Sequence, residues 1–171
     1  MTTRPRRTLV VVRHATAESF AATDHDRPLT TRGTQQAADL GVWLHENGLL
    51  PDAAIVSTAR RTRESWQGLA RAAGVEIEPL IDGAVYSGGM DSVLECVRTV
   101  DAAAGTVLVL GHNPTVASLV LDLDDGRGDP DLLVEASGGF PPSSAAVLTV
   151  TGSWVDLEPG GATLTALRIA R

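Results

Sequence analysis

The sequence predicts an α/β fold, a three-layer α/β/α sandwich around a mainly parallel sheet with antiparallel hairpins at its C-terminal end. Three observations carry this. Short apolar runs alternate with helix-patterned segments through the first two thirds of the chain, the order that builds parallel strands joined by crossover helices. The first run, Leu9-Val10-Val11-Val12, is continuously apolar rather than alternating, as suits a strand covered on both faces. The last third changes character: Thr151-Gly152 and Pro159-Gly160-Gly161 divide three β-rich runs, which suggests hairpin connections.

Taken in order, residues 1–7 read as a loose basic tail, and residues 8–171 as one domain. The first strand is Thr8 to Val12. A polar loop containing Asp24-His25-Asp26-Arg27-Pro28-Leu29-Thr30 follows. Thr30 is a good N-cap for a helix over Thr31 to Glu46, with Ala37, Ala38, Leu40, Gly41 and Leu44 inward and Asn47-Gly48 closing it. A second strand, Ala53 to Ser57, leads into a helix over Ala59 to Ala73, where Trp66, Leu69, Ala70 and Ala73 share a face. A short strand is expected near Val75 to Pro79, then an irregular connection from Leu80 to Gly89 that contains Tyr86. A third helix covers Met90 to Ala103. Thr106 to Leu110 is another apolar strand, followed by Gly111-His112-Asn113-Pro114, with Asn113 as N-cap and Pro114 at the first position of a helix reaching Leu123. Residues 124–143 read as a long loop, either a mobile lid or an ordinary surface connection. Ala145 to Val150, Ser153 to Leu157 and Thr163 to Ile169 read as strands.

Composition narrows the function. A chain of 171 residues buries roughly 70% of its unfolded surface. Aromatics make up only 4%, so the core rests on aliphatic side chains, and Trp43, Trp66 and Trp154 are expected to pack rather than bind. All 14 basic residues are arginine, and the formal net charge is -7. That balance argues against nucleic acid or an anionic membrane as partner. An anion site must therefore be a local cluster of arginines. Cys96 is the only cysteine, which excludes an intrachain disulfide, suits a reducing cytoplasm and reads as a buried thiol. No apolar run is long enough to span a membrane. The histidines are scattered without metal-ligand spacing, so neither metal nor other cofactor is expected.

The chemistry collects at three strand ends. The first carries Arg13-His14, the second Ser57 followed by Arg60, Arg61 and Arg63, the third Gly111-His112-Asn113. In a parallel sheet these ends share one edge, where ligands of open α/β sheets bind. Arginines in the first turn of a helix oppose its macrodipole by about 0.3–1 kcal/mol each, a cost that a bound phosphate reverses. Arg60 and Arg63 are expected to project into water. His25 has two readings, a substrate contact and, favoured, an exposed loop residue; His45, near a helix end, reads as structural.

Arg13-His14-Ala15-Thr16-Ala17-Glu18, Arg27-Pro28-Leu29-Thr30, Val56-Ser57-Thr58-Ala59-Arg60-Arg61 and Leu110-Gly111-His112-Asn113-Pro114 together resemble the histidine phosphatase superfamily, the group of phosphoglycerate mutases and acid phosphatases. They look most like its SixA-type phosphohistidine phosphatase branch. The resemblance implies a metal-independent phosphatase with His14 as nucleophile, becoming a phosphohistidine that water then hydrolyses. It implies that Arg13, Arg61 and His112 hold the phosphoryl oxygens, His112 as a cation, with Arg27 and Asn113 as further substrate contacts. Ala15 stands where many members have glycine. The glutamate that mutase-like members place in the segment corresponding to residues 80–89 is absent. Asp24 and Asp82 are then the candidate general acids, each also readable as a solvated loop carboxylate. A phosphorylated imidazole needs less acid help than an alkyl phosphate, so the expected substrate is a phosphohistidine protein. The alternatives are a small phosphorylated metabolite, or a non-catalytic phosphate-binding module.

Overall fold

The computed structural model describes residues 6–170. Six strands form one sheet: β1 (Arg6–Arg13), β2 (Ala53–Ser57), β3 (Leu80–Asp82), β4 (Thr106–Gly111), β5 (Ala145–Thr151) and β6 (Ala162–Arg168). Six α-helices accompany them, with a short 3-10 turn over Asp24–Asp26: α1 (Thr31–Glu46), α2 (Arg60–Ala73), α3 (Ala84–Ser87), α4 (Met90–Arg98), α5 (Thr115–Leu123) and α6 (Pro130–Gly138). The strand order is β3-β2-β4-β1-β5-β6. The first four strands are parallel, β5 runs antiparallel to β1, and β6 runs antiparallel to β5.

β1 lies between β4 and β5 and divides the core. Leu9 and Val11 face one cluster with Val93, Val97, Val116 and Leu119 of α4 and α5. Val10 and Val12 face the other, with Leu40 and Leu44 of α1 and Trp66 and Leu69 of α2. This is the three-layer arrangement, and it explains the unbroken apolar run: alternate residues enter opposite cores. All four are at most 1% exposed, each burial contributing about 1.5–3 kcal/mol.

Several elements differ from the sequence expectation. Residues 1–5 of the expected tail lie outside the described residues, while Arg6 and Arg7 extend β1, opposite Thr151 and Val150 of β5. Residues 75–79 form no strand. β3 lies in the segment read as irregular, because it needs only the edge of β2 to pair with. α4 stops at Arg98, where the Thr99 side chain bonds the Cys96 carbonyl. Residues 124–143 include α6, started by Asp129, whose carboxylate accepts from Asp131 N–H, and by Pro130. Ser153 to Leu157 form turns instead of a strand. Trp154 is buried there, its indole N–H donating to Ala104 O at 2.8 Å, so packing overrides β-propensity. Among the described residues no helix is long and apolar enough to cross a membrane.

Candidate active site

Register brings the three strand ends level. Arg13 pairs with Gly111 across β1 and β4, and Val56 with Leu110 across β2 and β4. Arg13, His14, Ser57 and His112 therefore emerge on the carboxyl edge of the parallel strands, and Arg61 enters from the first turn of α2. Backbone bonds fix the first pair. Arg13 N–H donates to Ser144 O, and His14 N–H to Gly111 O. Ser143 N–H donates to the carbonyls of both Arg13 and His14. Ser143 holds a positive φ of 64° and is tied by its hydroxyl to Gln36 O. Gln36 Oε1 in turn accepts from the Thr16 backbone and hydroxyl, and Ser65 Oγ accepts from Ala15 N–H. The turn after His14 is thus tied to α1, to α2 and to the lead-in to β5.

His14 is 8% exposed. Its Nδ1 lies 2.7 Å from Ala15 O. A carbonyl can only accept, so Nδ1 carries the proton and Nε2 presents a lone pair. Arg61 Nε donates to that lone pair at 3.3 Å. Burial first, then the charges of Arg61, Arg13 and Arg27, outweigh the Ala15 bond and lower the imidazole pKa to about 4. His14 is therefore neutral at pH 7.

Arg61 is buried, and four of its five N–H donors are engaged. Besides His14, its Nη1 donates to Asp24 O at 2.8 Å, and its Nη2 to Asp24 Oδ2 and His112 Nδ1, both at 3.2 Å. Because Nδ1 of His112 accepts, Nε2 carries its proton and donates to Ser57 Oγ at 2.7 Å. Burial, then the proximity of His14, lower the His112 pKa to about 3. This corrects the expectation of a cationic His112 for the site as it stands.

Arg13 donates Nη1–H to Phe140 O at 3.0 Å, and its buried Nε has no partner. An orphaned buried donor beside Arg61 is a feature an anion satisfies. Burial and Arg61 both lower its pKa. Asn113 caps no helix; Pro114 occupies that position without a side-chain bond. Its amide donates instead to the same Phe140 carbonyl at 2.9 Å, with Oδ1 unpartnered. Arg27 directs its bonds to Asp24 Oδ1 and Glu18 O. As expected, Arg60 and Arg63 are exposed, Arg60 pairing with Glu64.

The two acid candidates separate. Asp82 Oδ1 accepts from Ala84 N–H at 2.7 Å; no hydrogen bond joins it to the arginine–histidine cluster among the described residues. Asp24 lies inside that cluster, accepting from Tyr86 OH at 2.8 Å as well as from Arg27 and Arg61. The Tyr86 bond first, then Arg61 and Arg27, lower its pKa to about 2 against a desolvation penalty. Asp24 is thus a carboxylate at neutral pH, not a ready acid. Tyr86 was not expected at the site. Its ring meets His25 at 4.8 Å and His112 at 5.6 Å between centroids, nearly perpendicular to both. His25 is half-buried, with Nε2 3.0 Å from Thr58 Oγ1, which corrects its reading as an exposed loop residue. The only tyrosine of a chain poor in aromatics, placed in an irregular connection, was the available signal. Among the described residues no group of three or more His, Cys, Asp or Glu side chains is placed to hold a metal ion.

Residues 9–82 match the model of the histidine phosphatase superfamily (branch 1). An uncharacterized protein of Mycobacterium tuberculosis is 36% identical over 94% of this chain and 100% of its own. A structure from Nakamurella multipartitia, provisionally named phosphohistidine phosphatase SixA, is 37% identical, covers 95% of each chain and superposes with a TM-score of 0.84. The chain belongs to the histidine phosphatase superfamily. Within it the chain is a SixA-like phosphatase. A second provisionally named SixA, from Agrobacterium tumefaciens, is 25% identical with a TM-score of 0.79, covering 96% of this chain and 98% of its own. The SixA homolog of Haemophilus influenzae is 29% identical over 67% of this chain and 76% of its own.

Proposed function

We propose that the protein hydrolyses phosphohistidine, transferring the phosphoryl group first to His14 Nε2 and then to water, in the cytoplasm and without a metal. The observation that carries this is the imidazole of His14. Its proton is fixed on Nδ1 by Ala15 O, and its lone pair on Nε2 points into the arginine cluster. A substrate phosphoryl group takes the donors of Arg61 and the free donors of Arg13, leaving Nε2 facing phosphorus. Phosphoryl transfer needs mainly such positioning and charge neutralisation. The phosphate charge also raises the pKa of His112, so that this ring gains a proton and a second donor as the substrate settles.

The state of Asp24 supports the substrate class. With its carboxyl ionised, the described site offers no ready carboxylic acid for an alkoxide leaving group. A phosphorylated imidazole that already carries a proton on its other nitrogen leaves as a neutral ring. The test is to mix the protein with a phosphohistidine protein and quench rapidly. An acid-labile, alkali-stable phosphoenzyme is expected, absent in His14→Ala. Full turnover by His14→Ala would overturn the mechanism, and preference for sugar phosphates over phosphohistidine would overturn the substrate class. Loss of activity in EDTA, restored by a divalent ion, would overturn metal independence.

A further inference from the structure

We propose that Tyr86, His25 and the Asp24 carboxylate form a leaving-group subsite that selects a flat, proton-carrying imidazole on the phosphorus; this rests on His14 being the nucleophile. The geometry of displacement locates the subsite. The attacking and leaving atoms lie roughly in line on opposite sides of phosphorus. His14 and Arg61 are both buried, and Arg61 links His14 to the exposed Asp24: Nε contacts His14 Nε2 at 3.3 Å, and Nη2 contacts Asp24 Oδ2 at 3.2 Å. The His112 ring repeats this arrangement, with His14 at 5.2 Å and Tyr86 at 5.6 Å between centroids. A phosphorus held by Arg61 and His112, with His14 on its inner side, has its leaving atom towards Asp24 and Tyr86. That outer side opens to solvent, since the Asp24 side chain is 56% exposed.

The chemistry of this outer wall suits an imidazolium. Tyr86 and His25 stand edge to face at 4.8 Å and 88°, an aromatic surface that favours a flat cationic ring. Asp24 supplies the negative charge. Its Oδ1 accepts from Arg27, and its Oδ2 from Tyr86 and Arg61. When a phosphoryl oxygen takes the Nη2–H of Arg61, one acceptor position on Oδ2 is released. The N–H of the substrate imidazole can take that position. The two halves of the substrate are therefore recognised together, through one guanidinium.

The step balances without a proton from the protein. The His14 Nε2–P bond forms as the P–N bond of the substrate breaks. The electron pair of that bond goes to the leaving nitrogen. The proton on the other ring nitrogen stays in place, held by Asp24, and the group departs as neutral imidazole. An alkoxide has neither the flat face nor that proton.

The test compares kcat/KM for N-phosphoimidazole and methyl phosphate in wild type, Tyr86→Leu, Tyr86→Phe and His25→Ala. In Tyr86→Leu the ratio of the two values is expected to fall about tenfold. Tyr86→Phe, which keeps the ring, should retain most of it, and His25→Ala should fall between. Imidazole at pH 6, as a product inhibitor, should bind more weakly to Tyr86→Leu in the same proportion. An unchanged ratio in Tyr86→Leu, or an equal fall on both substrates, overturns the subsite while leaving His14 as nucleophile. A wild-type protein that forms no phosphoenzyme with either compound overturns the underlying reading and the subsite with it.

Discussion

The two ends of β1 carry the same residue type and put it to different uses. Arg7 and Arg13 are both half-buried, both donate to backbone carbonyls, and both leave a buried Nε without a partner. Arg7 lines a cavity of about 590 Å³ together with Asp156 and Glu158. Its guanidinium joins Gly152 O to Ala102 O. Arg13 stands beside Arg61 and two neutral histidines. The cavity at the Arg7 end thus has acidic side chains in its lining, which oppose an anion. Concentrated positive charge with unspent donors, rather than volume, marks the candidate site.

The sharpest way to break this comparison is at the nucleophile. His14→Ala should lower turnover by at least about a thousandfold and abolish the trapped phosphoenzyme, measured by rapid quench. Next come matched changes at the two ends of the sheet. Arg61→Met should lower kcat/KM by about 10²–10³. Arg7→Met should lower stability by about 1–3 kcal/mol in urea unfolding and change kcat/KM less than twofold. Equal kinetic losses in the two variants would remove the distinction drawn between the ends.

Gly33 provides a subtler probe. A Cβ there would lie 1.9 Å from Thr16 O, so Gly33→Ala must push α1 away from the turn that follows His14. It should cost about 1–3 kcal/mol of stability and lower kcat more than KM, read by steady-state kinetics beside thermal melts. A last probe is pH dependence. The His14 and His112 pKa values lie near 4 and 3 in the folded protein, against about 6.5 when unfolded. As pH falls below about 6.5 the unfolded chain takes up protons first, so stability should decline with falling pH towards about 4. His14→Ala should flatten part of that decline. Phosphoenzyme formation should also fade as pH approaches 4, because a protonated Nε2 has no lone pair.

Legibility in the sequence followed the range of the interactions. β2 and α1 were readable to their ends, because local patterning and the Thr30 cap, which accepts from Gly33 N–H, define them. α6 was hidden in a loop-like composition, although Asp129-Pro130 is a local start signal. β3 was hidden because a three-residue edge strand has no pattern of its own. At the site, Arg13, His14 and His112 were legible as strand-end residues, and Arg61 through the family resemblance; the structure brings His14, Arg61 and His112 within hydrogen-bonding or ring contact of one another, with the Arg13 charge acting on His14. Tyr86 was not legible. Its role depends on meeting Asp24, which lies 62 residues away in sequence.

The sequence by itself determined the alternation of strands and helices, and hence the edge at which the polar strand ends meet. Those follow from side-chain periodicity and the topology of parallel sheets, both short-range rules. Only the tertiary structure decided the protonation of the site. Which nitrogen of His14 is bare depends on Ala15 O, the neutrality of both histidines on burial beside arginines, and the ionisation of Asp24 on Tyr86, Arg61 and Arg27. Charge and tautomer are set by neighbours in space, and most of those neighbours are far apart in the chain.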